Sequence, residues 1–244
     1  MNNVKKQRNP VLLVHGIFDT GRVFDTMIPY LNQRGWTVYD LDLVPNNGNI
    51  GLDTLAQQVA DYIDATFEPE QPLDLVGFSM GGIVSRYYIQ RLGGINRLQR
   101  FVTISSPHHG TWIAYCRQGV GCIQMRPDSV LLQDLNQDVD MLKQIDFTSI
   151  WTPYDLMIVP ASSSQMPVGR EVIVPVLNHS WMLSDSRSLA AVAEALTIQN
   201  SKWTASRCAN KIQKTQPSAE KYSVCWQNAI KMYGNLKALS VALP

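Results

Sequence analysis

LDLVGFSMGG, Leu73 to Gly82, decides the fold: an apolar run of strand length breaks at a G-x-S-x-G pentapeptide and gives way to a segment of helical period. A sharp turn between a strand and a helix lifts the side chain of its central residue, Ser79, out of the layers on either side. Residues two before and two after that serine lie against neighbouring backbone, so Gly77 and Gly81 have a steric reason to be there. The stretch therefore predicts a parallel strand–turn–helix unit with an exposed hydroxyl at its corner.

Working outward, further apolar runs of strand length occur at Val11 to His15, Thr37 to Leu41, Phe101 to Ser105, Thr148 to Trp151 and Val172 to Leu177. Helix-period segments separate them. One carries Val23, Phe24, Met27, Ile28 and Leu31 and stops near Gly35; another carries Leu55, Val59, Tyr62 and Ile63 and stops near Pro69. A third runs from just after Ser79 to about Leu92, and a last one from about Asp185 to Leu196. This alternation predicts an α/β fold, with a minimal, mostly parallel sheet of about six strands flanked by helices. Residues 110–146 interrupt the regular order with a long excursion that includes a helix-like stretch, Leu131 to Leu142, and such an insertion can border a cleft.

The 244 residues are 45% hydrophobic and carry a net charge of only +1, which gives no reason to expect nucleic acid as a partner. That balance conceals an asymmetry: residues 200–244 hold seven Lys or Arg against the single acid Glu220. The expected organisation is a catalytic domain over 1–199 and a basic extension over 200–244, helical or partly disordered. With Trp203, Tyr222, Trp226 and Tyr233 among its cations, the extension could touch an anionic membrane surface. The apolar run behind Lys5 to Arg8 is too short for an export signal, and none approaches the roughly 20 residues of a membrane span. These features point to a cytoplasmic location, with peripheral contact to a membrane open to the extension, and favour reduced thiols at Cys116, Cys122, Cys208 and Cys225, although a bridge between Cys116 and Cys122 is sterically open.

A serine hydroxyl becomes a useful nucleophile only beside an imidazole base and backbone donors for the developing oxyanion. In an elbow scaffold the order along the chain is Ser, acid, His, so the base must follow Ser79. Of His108, His109 and His179, only His179 also follows the last expected strand. The acid should stand at the end of a strand between nucleophile and base; Asp155, behind TSIW, meets this condition. Asp134, Asp138 and Asp140 fall on a polar helical face, and Asp146 precedes its strand. The backbone amides of Ile17, in the loop after the first strand, and of Met80 are the expected oxyanion donors. His15, His108 and His109 are read as loop braces, with no metal or cofactor site expected. Ile17, Phe18, Val23 and Phe24 could line an acyl pocket or belong to the core, and Phe24 favours the core.

VLLVHGIFD, GFSMGG, SSPHHGT, TPYDLMIVP and VLNHSWML together resemble the small bacterial lipases of the α/β-hydrolase fold, the class 2 triacylglycerol lipases, over about residues 9–198. The resemblance implies Ser79, Asp155 and His179 as triad and Ile17 and Met80 as oxyanion donors, the set reached above. It further implies a lipase acting on acylglycerol, glycolipid or phospholipid esters. Phe78 departs from it, since many such lipases have histidine inside the elbow. An acyltransferase would use the same triad, and a non-catalytic lipid-binding protein would need none of it.

Overall fold

A computed structural model describes residues 8–198. Its strands are β1 (Val11–Val14), β2 (Val38–Leu41), β3 (Leu73–Phe78), β4 (Leu98–Ile104), β5 (Asp146–Trp151) and β6 (Arg170–Ile173). They form one sheet in the order β2-β1-β3-β4-β5-β6, with every neighbouring pair parallel. The α-helices are α1 (Met27–Asn32), α2 (Leu52–Thr66), α3 (Met80–Arg91), α4 (Val120–Gln124), α5 (Val130–Gln137) and α6 (Ser186–Ala195).

Side chains alternate across a strand, and in β1 both sets are buried. Leu12 and Val14 join the core built with α2 and α3, while Val11 and Leu13 join the one built with α1 and α6. Burial on both faces explains why VLLV is a continuous apolar run rather than an alternating one. The connection leaving β1 passes to one side of the sheet and the connection leaving β3 to the other. The order therefore reverses between these adjacent strands, and a crevice opens beyond their carboxyl ends. Ile17 and Ser79 stand at that crevice.

The expected elements are present with shifted edges, each for a physical reason. β4 begins at Leu98, earlier than its apolar run suggests, because the Arg100 guanidinium is neutralised by buried Asp74 of β3 at 2.9 Å. The last strand lies at Arg170–Ile173 rather than Val172 to Leu177: the Val174 N–H still donates to Trp151, but Pro175 has no N–H to continue the ladder. The helix expected from Val23 is split into a 3-10 turn, Gly21–Phe24, and α1, since a continuous helix would need an N–H on Pro29. The stretch expected at Leu131 to Leu142 likewise divides at Asp138 into α5 and a 3-10 turn, Val139–Gln144. The basic extension, Cys208 and Cys225 lie outside the described residues. Among those described, no helix is long and apolar enough to cross a membrane.

Candidate active site

Ser79 is the single residue between β3 and α3, with φ 53° and ψ −123°. A side chain other than glycine pays steric strain in this region, and the surroundings hold it there. The Ser79 N–H donates to the Ile104 carbonyl at 2.9 Å, anchoring the turn to the end of β4. The glycines act by absence. A Cβ on Gly77 would lie 2.6 Å from the Gly82 backbone, and one on Gly81 would lie 2.2 Å from the Val14 carbonyl oxygen. Gly81→Ala is expected to cost about 3 kcal/mol or more, because rigid β1 backbone must move. Gly93→Ala, where the added Cβ meets nothing within 4 Å and only φ +83° is unfavourable, should cost about 1 kcal/mol. Chemical denaturation of the two variants tests the comparison; equal stabilities would contradict it.

Asp155 and His179 are brought together from separate loops, behind β5 and β6. His179 Nδ1 donates to Asp155 Oδ2 at 2.7 Å, which leaves Nε2 as the free lone pair of the ring. The other carboxylate oxygen accepts the Met157 and Ile158 amides, each at 2.9 Å. Burial pushes the Asp155 carboxyl up, but the His179 hydrogen bond and charge and these two amides outweigh it and hold the group below its ordinary value. The carboxylate thus stays ionised in a buried place. Phe78, the residue before Ser79, packs its ring against the imidazole with centroids 4.8 Å apart, so the position that departs from the lipase pattern touches His179 directly.

His15 braces the loop after β1. Its Nε2 accepts the Leu43 N–H at 2.9 Å, so Nδ1 carries the proton and donates to the Gly16 carbonyl at 2.8 Å. With that carbonyl turned to His15, the trans peptide points the Ile17 N–H the opposite way. The Phe18 N–H is used on the Asn46 carbonyl, at φ 62°, whereas no backbone carbonyl among the described residues takes the Ile17 N–H. Met80 heads a 12-residue helix, where the first-turn N–H groups have no partner within the helix and the dipole is positive. The loop also abuts the serine, since a Cβ on Gly16 would lie 3.1 Å from Ser79 Cβ.

His108 is fully buried, with Nε2 3.0 Å from the Thr103 hydroxyl. Burial and then the nearby Arg86 charge hold it well below the usual histidine range, which keeps it neutral. His109 accepts a long hydrogen bond from the Asn136 amide at 3.4 Å. Both histidines stand apart from the Asp155–His179 pair as structural members of their loop.

Ser79 opens on an apolar cavity of about 200 Å³. Ile17 and Phe18 line it as the sequence suggested, whereas Phe24 is fully buried core and Val23 packs against that core. Thr111, Ile113, Cys122 and Met125, from the excursion after β4, and Met157 and Ile158, beside Asp155, complete much of the wall. No periodic signal marks these residues in the sequence; the length of the excursion was the cue for those within 110–146. Thr111 ties the two segments, since its hydroxyl donates to the Met157 carbonyl at 2.8 Å and accepts the Val159 N–H at 3.0 Å. Cys116 and Cys122 are free thiols.

Residues 10–138, just over half of the chain, match the family profile described as palmitoyl protein thioesterase. The lysosomal thioesterase PPT2 of Homo sapiens is 31% identical over 109 residues, covering 42% of this chain and 35% of that protein. Its Mus musculus counterpart is 30% identical over the same shares. The match thus spans about a third of the length of these curated relatives. Among solved structures, mature Bacillus licheniformis lipase BlEst2 superposes with a TM-score of 0.65 at 13% identity, over 80% of this chain and 94% of that one. Aspergillus fumigatus lipase B gives 0.67 at 17%, over 84% and 57%. These likenesses bear on the fold: the sheet and its helices are those of the α/β-hydrolases. The resemblance to lipases and esterases holds at that level, while the matching profile is that of a thioesterase family rather than the class 2 lipases.

Proposed function

Since the chain belongs to the palmitoyl protein thioesterase family, within the lipase and esterase group of α/β-hydrolases, we propose that it hydrolyses fatty acyl esters and thioesters through an acyl-enzyme on Ser79. The observation that carries this reading is the Asp155–His179 hydrogen bond beside a strained serine elbow that opens on an apolar cavity. Ser79 Oγ attacks the acyl carbonyl carbon as its proton passes to His179 Nε2, and the Ile17 and Met80 amides hold the oxyanion. Collapse expels the alcohol or thiol, which takes the proton from His179. Water then repeats the sequence on the acyl-serine and releases the carboxylic acid. The ionised Asp155 carboxylate keeps the imidazole in the required tautomer and stabilises the imidazolium.

The cavity favours recognition of the acyl chain over the leaving atom. Its wall is largely apolar and opens at the mouth, which suits acids with an aliphatic chain longer than acetyl. Glycerolipid esters and S-acyl thioesters of such acids, and longer chains whose ends emerge at the mouth, are the proposed substrate class. A matched panel of p-nitrophenyl, glyceryl and cysteamine-thioester donors, from acetyl to palmitoyl, tests this. The expected result is hydrolysis of oxygen esters and thioesters with a common chain-length profile that rises steeply from acetyl to octanoyl. No turnover of any donor, or a preference for acetyl in every series, would overturn it.

A further inference from the structure

Fifteen large hydrophobic residues are conspicuously exposed among the described residues, and thirteen of them lie in segments that leave the carboxyl ends of the strands, on the side where Ser79 opens. The other two are Leu92 and Ile173. From this distribution we propose that the face around the cavity mouth is a docking surface for a phospholipid bilayer carrying anionic headgroups, and that the protein takes acyl chains directly from it.

The patch is assembled from several segments: Val130 begins α5, Trp112 and Tyr115 lie in a 3-10 turn, Trp112–Cys116, and Leu177 follows β6. Val130 is 84% exposed, Leu177 69% and Trp112 58%, and the Trp112 and Tyr115 rings stack at 5.4 Å in the open. A soluble monomer has little reason to gather such side chains on one side. Aromatic rings with one wet edge suit the boundary between headgroups and acyl chains. Two cations stand among them: the Arg117 guanidinium lies 4.5 Å over the Phe18 ring and that of Arg126 lies 4.6 Å over Tyr115, and neither is in an ion pair among the described residues. Arg117 is exposed and placed to meet lipid phosphates, while Arg126 is half-buried, its Nη2 donating to the Arg117 carbonyl at 2.9 Å and to Gln118 Oε1 at 3.2 Å, so that it adds positive charge beside Arg117.

Continuity with the cavity favours a bilayer over a folded partner. Phe18, Ile113 and Met157 are exposed on the patch and also line the space in front of Ser79, so the apolar surface runs from the outside into the site. A bilayer covering it would present acyl chains at the mouth, whereas a folded protein seated there would close it.

Flotation of the full chain with vesicles of phosphatidylcholine, alone and with phosphatidylglycerol, tests the proposal. The wild type should float with the mixed vesicles and less so with phosphatidylcholine alone. The double variant Val130→Asp with Leu177→Asp should lose at least tenfold in partitioning, and Arg126→Gln about fivefold on the mixed vesicles. Ile173→Asp should bind like the wild type, and hydrolysis of a soluble short-chain ester should be unchanged in every variant, which separates docking from the proposed chemistry. A wild type that stays in solution with both vesicles, or equal binding by wild type and double variant, would overturn the proposal. So would concentration-dependent self-association that the double variant abolishes, because the face would then be an interface between copies.

Discussion

Ser79→Ala lowers kcat by about 10⁵-fold or more on a soluble octanoyl ester, leaving only the residual rate contributed by binding and the oxyanion donors. The size of the effect follows from the chemistry: without the hydroxyl no acyl-enzyme forms, and His179 has no positioned proton to accept. Stability should barely change. The Ser79 turn is held through its backbone, by the N–H to Ile104 and by the Gly82 N–H on the Ser79 carbonyl, and alanine retains both. Steady-state kinetics alongside thermal unfolding checks both halves. A variant within tenfold of the wild-type rate would remove Ser79 from the chemistry, and one that fails to fold would leave Ser79→Cys, with its altered nucleophile and similar size, as the measure.

Asp155→Asn is expected to cost about 10⁴ in kcat with KM nearly unchanged. Asparagine can still accept the Met157 and Ile158 amides through its carbonyl oxygen, so the loop has reason to keep its shape. The NH₂ group then faces His179 Nδ1 and donates to it, which moves the ring proton to Nε2 and removes the base. The accompanying signature is in the pH profile. The wild-type carboxyl is held below its ordinary value, so its support of His179 persists as pH falls through the normal carboxylate range and fades only below it. The variant's residual rate should not recover at any pH where the imidazole is neutral, because its ring presents Nε2–H to the serine there. A loss of less than tenfold would assign the acid to another residue.

Much of this site was legible because its requirements are local. A serine elbow needs small residues at Gly77 and Gly81 whatever the substrate, and the order of Ser79, Asp155 and His179 follows from the order in which β3, β5 and β6 deliver their loops to one edge. The role of His15 as a brace was also readable, because a histidine ahead of the nucleophile has no place in that order. The cavity wall was not. Thr111, Met125 and Ile158 come from irregular segments that share no period, and they meet where Thr111 bonds the Met125, Met157 and Val159 backbone and the Trp112 N–H donates to the Val159 carbonyl. The start of β4 was hidden by Arg100, whose charge reads as a surface residue until Asp74 is seen opposite it. The likeness to class 2 lipases shows the limit from the other side: its motifs are those that any elbow hydrolase of this fold requires, so they carry the scaffold further than the acyl donor.

Covalent labelling by a serine-directed fluorophosphonate, read by intact mass and then by peptide mapping, decides whether Ser79 is the nucleophile. One adduct per chain is expected, located on Ser79 and absent from Ser79→Ala, with labelling slowed by an octanoyl ester that competes for the cavity. An unlabelled wild type, an adduct on another residue, or equal labelling of Ser79→Ala would contradict that assignment.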